Sequence, residues 1–267
     1  MFNTLLVHPL FNLLVTIYSV VADFGLAVIG LTVLVRLVLW PLVTRQLHNQ
    51  RAVQELAPEL AKIKAKAAGD RALEGQLTLE LYKEREINPY ASFLPLVIQL
   101  PIFFALYLVL QDIVKPGEIA KITYPFLQNL PHVKDIIAGT ATFQPTLLGV
   151  VDLTKASAIL AVLAALAQFT QTKQLTPKQQ ANDSQAQVMK VMLYTFPAIT
   201  FVIGLKLPAA LALYWLTSSL MAVVQQYLVL QRDVEELEEG VVVTTTSTAT
   251  SPKAKPHRRG KGKGGKK

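Results

Sequence analysis

Apolar positions along this chain fall in long unbroken runs, with neither the alternation of a half-buried strand nor the narrow stripe of a soluble helix. The runs are Leu26–Val43, Ser92–Leu110, Ala156–Phe169, Val191–Leu205 and Ala209–Leu230, and the last four contain no Asp, Glu, Lys or Arg. At 1.5 Å per helical residue the first crosses most of a hydrocarbon core of about 30 Å. The pattern predicts five membrane-spanning helices, at about 24–43, 92–110, 156–172, 190–205 and 208–230. The third and fourth are short, their apolar runs reaching only about 21–22 Å as helices, so the bilayer is expected to thin there or water to enter from the cytoplasmic side. Gln168 and Gln171 make the end of the third span polar, and Lys173 and Lys190 mark its boundary and that of the fourth.

The polar segments between the runs carry their own periodicity. In 44–90, Leu56, Leu60 and Ile63, then Leu73, Leu77 and Leu81, recur at helical spacing, with Gly69–Asp70 dividing them. This predicts an antiparallel helical hairpin on the cytoplasmic side. A plain connector is the alternative, but helix–helix links are usually about two to eight residues long, and the excess favours docking. Segment 111–155 holds Pro116, Pro125, Pro131 and Pro145, which predict short helices and turns in an outer loop. Residues 5–21 are apolar but carry His8, Pro9 and Asn12, and Asp23 lies just beyond them. The expectation for 1–23 is an interfacial segment on the outer face. Orientation comes from Lys and Arg: eight in 44–90, three in 170–190 and nine from 231 onward, against four in 111–155 and one in 206–208. The positive-inside rule then puts the N-terminus outside and the C-terminus in the cytoplasm.

Composition agrees with an all-α integral membrane protein. Hydrophobic residues make up 52% and charged residues 16% of the chain, with a mean hydropathy of +0.38, whereas soluble domains carry about 25% charge. The first ten residues lack the basic start of a secretory signal, so no cleaved peptide is expected. Net charge is +8, yet the tail holds Lys253, Lys255, Arg258, Arg259, Lys261, Lys263, Lys266 and Lys267, and the remainder balances at 18 bases and 18 acids. The tail region 231–267 reads as acidic at 233–239, then low-complexity and disordered, then basic with four glycines and no aromatic residue. Such a run neutralises phosphates without reading sequence, so ribosomal RNA and anionic lipid headgroups are both eligible, and a topogenic charge run is the plain alternative. There is no cysteine. No GxxxxGK[ST] loop, HExxH pair or GxSxG elbow occurs, and the spans hold no acidic pair, so neither enzyme chemistry nor a cofactor is expected.

One residue breaks the pattern. Arg36 lies inside the first span, nine residues before Arg45, which in one straight helix leaves its Cα roughly 13 Å short of the polar segment. Charge at that depth is costly, from about 3 kcal/mol to over 10 kcal/mol depending on the measure. Either Arg36 snorkels or pairs with a carboxylate, or a water-filled cavity keeps it solvated and presents it to a substrate.

From about Tyr18 to Tyr227 the chain resembles the YidC family of membrane protein insertases, in a short bacterial-type form. GLAVIGLTVLVRLVLWPL at 25–42 is similar to the family's first core helix, with Arg36 at its arginine position. NPYASFLPLVIQLPIFFALY at 88–107 is similar to the second, with Pro89, Pro95 and Pro101. LPAALALYWLTSSLMAVVQQY at 207–227 is similar to the fifth, and VVDL at 150–153 to the approach to the third. Ala210 departs from the glycine expected after Pro208. Neither a lipoprotein cysteine nor a large outer domain is present near the start, so any N-terminal anchoring is expected to rest on 5–21.

The resemblance implies a five-helix core, 24–230, around a polar groove open to the cytoplasm and to lipid. That groove would receive nascent membrane proteins in the bacterial cytoplasmic membrane, with insertion and chaperoning but no covalent chemistry. It assigns the groove to Arg36, Thr32, Gln168 and Trp215, with Tyr214 a weaker candidate. For Thr32 the alternative is a hydrogen bond to the Val28 carbonyl, and for Trp215 and Tyr214 it is interfacial anchoring or packing. The partners expected are nascent clients, the lipid bilayer, the ribosome through the basic tail and, as a further candidate, the Sec translocon. A transporter or channel for an anionic solute is the second reading and a structural assembly subunit the third.

Overall fold

The runs fold as helices wherever side-chain periodicity and backbone satisfaction permit, and the computed structural model describes residues 1–88, 94–115, 117–174 and 184–248. Pro89, Pro116 and the basic run 253–267, with all eight of its Lys and Arg residues, lie outside the described residues. The chain divides into two units, Met1–Tyr227 and Leu228–Lys267.

A π-helical turn, Asn3–Val7, leads without interruption into α1 (His8–Val21). By length and apolarity the 19 residues Asn3–Val21 are sufficient to cross a membrane, where the sequence pattern predicts an interfacial helix. Asn12 explains why a polar residue does not break the run. It is buried, its amide donates to the carbonyls of His8 (2.8 Å) and Ile122 (3.1 Å), and its Oδ1 accepts the Tyr124 N–H at 2.6 Å. Each polar atom is satisfied inside the fold, as an apolar setting demands.

Ala22, at φ 54°, closes α1 in the left-handed conformation. Asp23 then caps α2 (Phe24–Val38), its Oδ1 accepting the Leu26 N–H at 2.8 Å. The sharp reversal lays α1 and α2 together around Phe11, Leu14, Phe24 and Leu31, all essentially inaccessible. Phe143 adds ring contacts to Tyr18 and Phe24 at 5.3 and 5.2 Å.

The run predicted as one span over 24–43 is broken at Leu39. α2 and α3 (Trp40–Glu55) meet at 62°, with Pro41 in the first turn of α3. Proline supplies no N–H to the preceding turn and fits a helix start, which accounts for a bend here. Gln225 covers the break, donating to the Trp40 carbonyl (3.0 Å) and to Thr44 Oγ1 (3.3 Å).

α4 (Ala57–Ala67) and α5 (Arg71–Glu84) pack through Leu56, Leu60, Leu81 and Tyr82. Asp70 caps α5 by accepting from Ala72 and Leu73 N–H. Arg85 and Glu59 form an ion pair at 2.7 Å across the two ends. Leu73 is exposed, so only part of the predicted apolar stripe enters this cluster.

α6 (Leu94–Ile113) contains Pro101. After it come α7 (Glu118–Ile122), a 3-10 turn at Pro125–Leu127, α8 (Val133–Ile137) and a two-stranded hairpin, β1 (Thr146–Leu147) with β2 (Val151–Asp152). Beside β2, hydrogen bonds from Thr154 first and Lys155 second hold the Asp152 carboxyl below the usual carboxylate range, at a pKa of about 2. α9 (Ala158–Gln174) packs on α10 (Ser184–Gly204), and Gly204 permits the approach: a Cβ there would stand 2.9 Å from that of Ala161.

α11 runs Ala209–Thr248. Ala210 is buried and its N–H reaches the Leu153 carbonyl at 3.0 Å, so alanine fits the close turn expected to need glycine. The described part of the second unit, 228–248, is helical backbone as far as Thr248, where composition predicts disorder from Val241. Propagating an existing helix adds one hydrogen bond per residue fixed, without a new nucleus.

Of the described helices, Asn3–Val21 alone meets the length and apolarity of a crossing, and α2 with α3 meets it as a bent pair; Val97–Ile113 and Leu193–Gly204 are shorter apolar helices.

Candidate functional site

The polar side chains within the apolar helices converge on one face of α11. Tyr214 and Ser218, and beside them Trp215 and Ser219, are spaced four apart, so each pair lies in line along the helix. Around Ser218 and Tyr214 stand α2 and α6; around Trp215 and Ser219 stands α9.

Arg36 sits in the last turn of α2, three residues before the break, and is half-buried. Its Nε and one Nη donate to Ser218 Oγ at 2.9 and 2.5 Å. Among the described residues no carboxylate lies within ion-pairing distance of it. Among the described residues the guanidinium therefore has no counter-ion, and its N–H groups not directed at Ser218 have the chemistry to donate to an oxyanion. One turn before Ser218, the buried Tyr214 hydroxyl accepts the Gln99 amide of α6 at 2.6 Å.

The second network centres on Gln168. Its Oε1 accepts both Trp215 Nε1–H (2.9 Å) and Ser219 Oγ–H (3.1 Å). The Trp215 ring meets Phe103 of α6 edge-on at 5.5 Å. Beyond that ring lies a small hollow of about 10 Å³ lined by Phe103, Ala164, Thr200, Ile203, Leu211 and Trp215. The Thr200 hydroxyl there is buried and has no hydrogen-bond partner among the described residues.

Of the residues that the sequence points to, Gln168 and Trp215 are bonded to each other, while Arg36 and Tyr214 share the Ser218 face. Thr32 is buried and commits its hydroxyl to the Val28 carbonyl at 2.6 Å. Ser218, Ser219 and Gln99 escape sequence reasoning, although each is an uncharged polar residue inside a run of predominantly apolar side chains. That is the signal that finds them. Replacing Gln168 by Leu leaves Trp215 N–H and Ser219 O–H without their acceptor. Unfolding stability is expected to fall by about 1–3 kcal/mol, with a shifted Trp215 emission, measured in a Trp40→Phe background to remove the other tryptophan.

A family model described as 60Kd inner membrane protein matches residues 16–236. The chain belongs to this family, that of the YidC insertases. The membrane protein insertase YidC of Fusobacterium nucleatum is 34% identical over 222 residues, covering 82% of this chain and 92% of that protein. Its counterpart in Beijerinckia indica is 32% identical over 231 residues, 84% of this chain and 37% of the relative, and that of Anaeromyxobacter dehalogenans 35% over 213 residues, 80% and 34%. The chain thus spans nearly all of the first relative and about a third of the other two. Among solved structures, an active YidC insertase crystal structure with the first transmembrane domain resolved aligns with a TM-score of 0.56 and 23% identity, covering 85% of this chain and 46% of that one. The family fold is shared with that structure.

Proposed function

We propose that this protein is a membrane protein insertase of the bacterial cytoplasmic membrane, with the Arg36 face of α11 as its client-binding groove. The observation that carries the reading is a half-buried guanidinium in an apolar helix whose hydrogen-bond partner is a neutral serine. A structural arginine would be matched to a carboxylate; this one is held in place and left hungry for an anion. Five spans, an outside N-terminus and a cytoplasmic C-terminus complete the proposed arrangement, with 44–90 as a cytoplasmic docking hairpin.

Moving a hydrophilic client segment through about 30 Å of hydrocarbon strands its polar groups at several kcal/mol each. A hydrated groove over the cytoplasmic half shortens that path. Arg36 attracts a client carboxylate more strongly than bulk water would allow, because its surroundings are less polar. The client's apolar helix meanwhile slides along exposed side chains of α2 (Leu34, Leu37, Val38), α6 (Val97, Leu100, Phe104) and α11 (Leu220, Val224). Partition of that helix into lipid, together with the membrane potential acting on acidic residues, completes release without nucleotide. Gln168, Trp215 and Tyr214 line the groove beside Arg36; Thr32, its hydroxyl committed, contributes shape.

Photocrosslinkers at positions 32, 36, 168 and 215 test this against a stalled nascent membrane protein, with position 162 on the exposed face of α9 as control. Adducts at 36, 168 and 215 in excess of the control are expected; equal yields at all positions reject the groove. A transporter of an anionic solute would instead show flux in proteoliposomes. The tail 253–267 is proposed to hold ribosomes by phosphate neutralisation. Its deletion should weaken co-sedimentation at low salt and flatten the fall in binding with rising salt, since each phosphate contact contributes to that slope. Sec translocon contact is a candidate partnership for the same complex.

A further inference from the structure

The β1–β2 hairpin carries a feature that folding alone does not account for. Its turn, Leu147–Val150, is closed by the Val150 N–H on the Leu147 carbonyl at 3.0 Å, with Leu148 at φ 51° and Gly149 at φ 68°. Positive φ at both central positions belongs to the primed turns that favour Asn-Gly, because Asn and Gly tolerate the left-handed region and a branched apolar side chain does not. Leucine occupies the first position all the same, and is 67% exposed; Val150 beside it is 83% exposed. Neither side chain is buried by the chain itself.

The tip is nevertheless held firmly. Leu147 lies directly on Gly25, its side chain filling the space that a Cβ there would need. The Leu148 N–H donates to Asp23 Oδ2 at 2.6 Å, while Ala209 and Ala210 N–H reach the carbonyls of Lys155 and Leu153. These bonds fix the hairpin at the N-terminal ends of both α2 and α11, and its second strand leads within six residues into α9. The lipid-compatible face of α9 begins there, with Ile159, Val162, Leu163 and Leu166 exposed. A collar of charge accompanies it: Asp23, and the Asp152–Lys155 pair at 3.0 Å.

We propose that Leu148 and Val150 form a rigid prong that enters the boundary between headgroups and acyl chains of the bilayer leaflet at the N-terminal ends of α2, α9 and α11. The partner is the lipid surface, which takes up apolar side chains at that depth while the flanking charges stay among the headgroups. This rests on the membrane-spanning reading of α9 proposed for the insertase.

The chain has no cysteine, so single labels are unambiguous. The full chain carrying Val150→Cys, labelled with an environment-sensitive nitrobenzoxadiazole group, is reconstituted into phosphatidylethanolamine–phosphatidylglycerol vesicles. Quenching is read with shallow acyl-chain nitroxide lipids and with aqueous iodide. Thr142→Cys, exposed in the same loop, and Val162→Cys on α9 are the references. Position 150 is expected to be quenched by nitroxide and largely protected from iodide relative to position 142. Leu148→Asn, which suits the turn better, should restore iodide access at 150 with the fold intact. If position 150 is as open to iodide as 142 while 162 is quenched by lipid, the prong is overturned and the spanning reading stands. If 162 is also unquenched, the spanning reading itself fails.

Discussion

Arg36→Ala is expected to reduce insertion of clients with acidic outer segments by about ten- to a hundredfold, the equivalent of losing one hydrogen-bonded charge contact of about 1.5–3 kcal/mol. Clients whose translocated segments lack acids should change little, and this contrast separates recognition from a general failure to fold. Arg36→Lys keeps the charge but not the geometry. An ammonium is a point charge and cannot reproduce the fork that places Nε and Nη together on Ser218. An intermediate loss is therefore expected, smaller than for alanine. The measurement is protease protection of a translocated client segment in proteoliposomes at matched protein levels. Unchanged protection with Arg36→Ala would leave the protein as an assembly subunit, with no client site on α2.

The second large effect concerns stability. Phe11 is fully inaccessible in the core shared by α1, α2 and α6, and Phe11→Ala should cost about 3–5 kcal/mol through lost burial and the cavity left behind. Leu5, on the same continuous helix but 74% exposed, should shift stability by no more than about 0.5 kcal/mol when replaced by alanine. Thermal unfolding in detergent, monitored by loss of helical circular dichroism, reads both. A small effect at Phe11 would mean that the N-terminal helix is dispensable to the core it closes.

Much of the architecture is written in local pattern. The described parts of the apolar runs lie largely in helices because a helix satisfies their backbone N–H and C=O groups locally, and the turn at Gly69–Asp70 is legible because Asp70 caps the first turn of α5. The family is recognisable from ordered blocks alone. Local pattern does not supply pairing at a distance. Asn12 reads as an interruption until Ile122 and Tyr124, more than a hundred residues away, take up its amide and carbonyl. Ser218 reads as one hydroxyl among three at 217–219 until Arg36 arrives. Gln168 and Trp215 are each unusual within a span, but nothing local says that they bond to one another across 47 residues of chain. The break at Leu39 is hidden for a different reason: hydropathy averages over Pro41, whereas the backbone responds to a single missing donor.

That break gives the molecule a lever. α3 extends about 24 Å from it at 1.5 Å per residue, so rotation of about 10° about the Leu39–Trp40 pivot would carry the far end about 4 Å sideways. Gln225, almost wholly buried, holds that pivot at two points, so the stiffness of the joint from which α3 departs depends on one glutamine of α11.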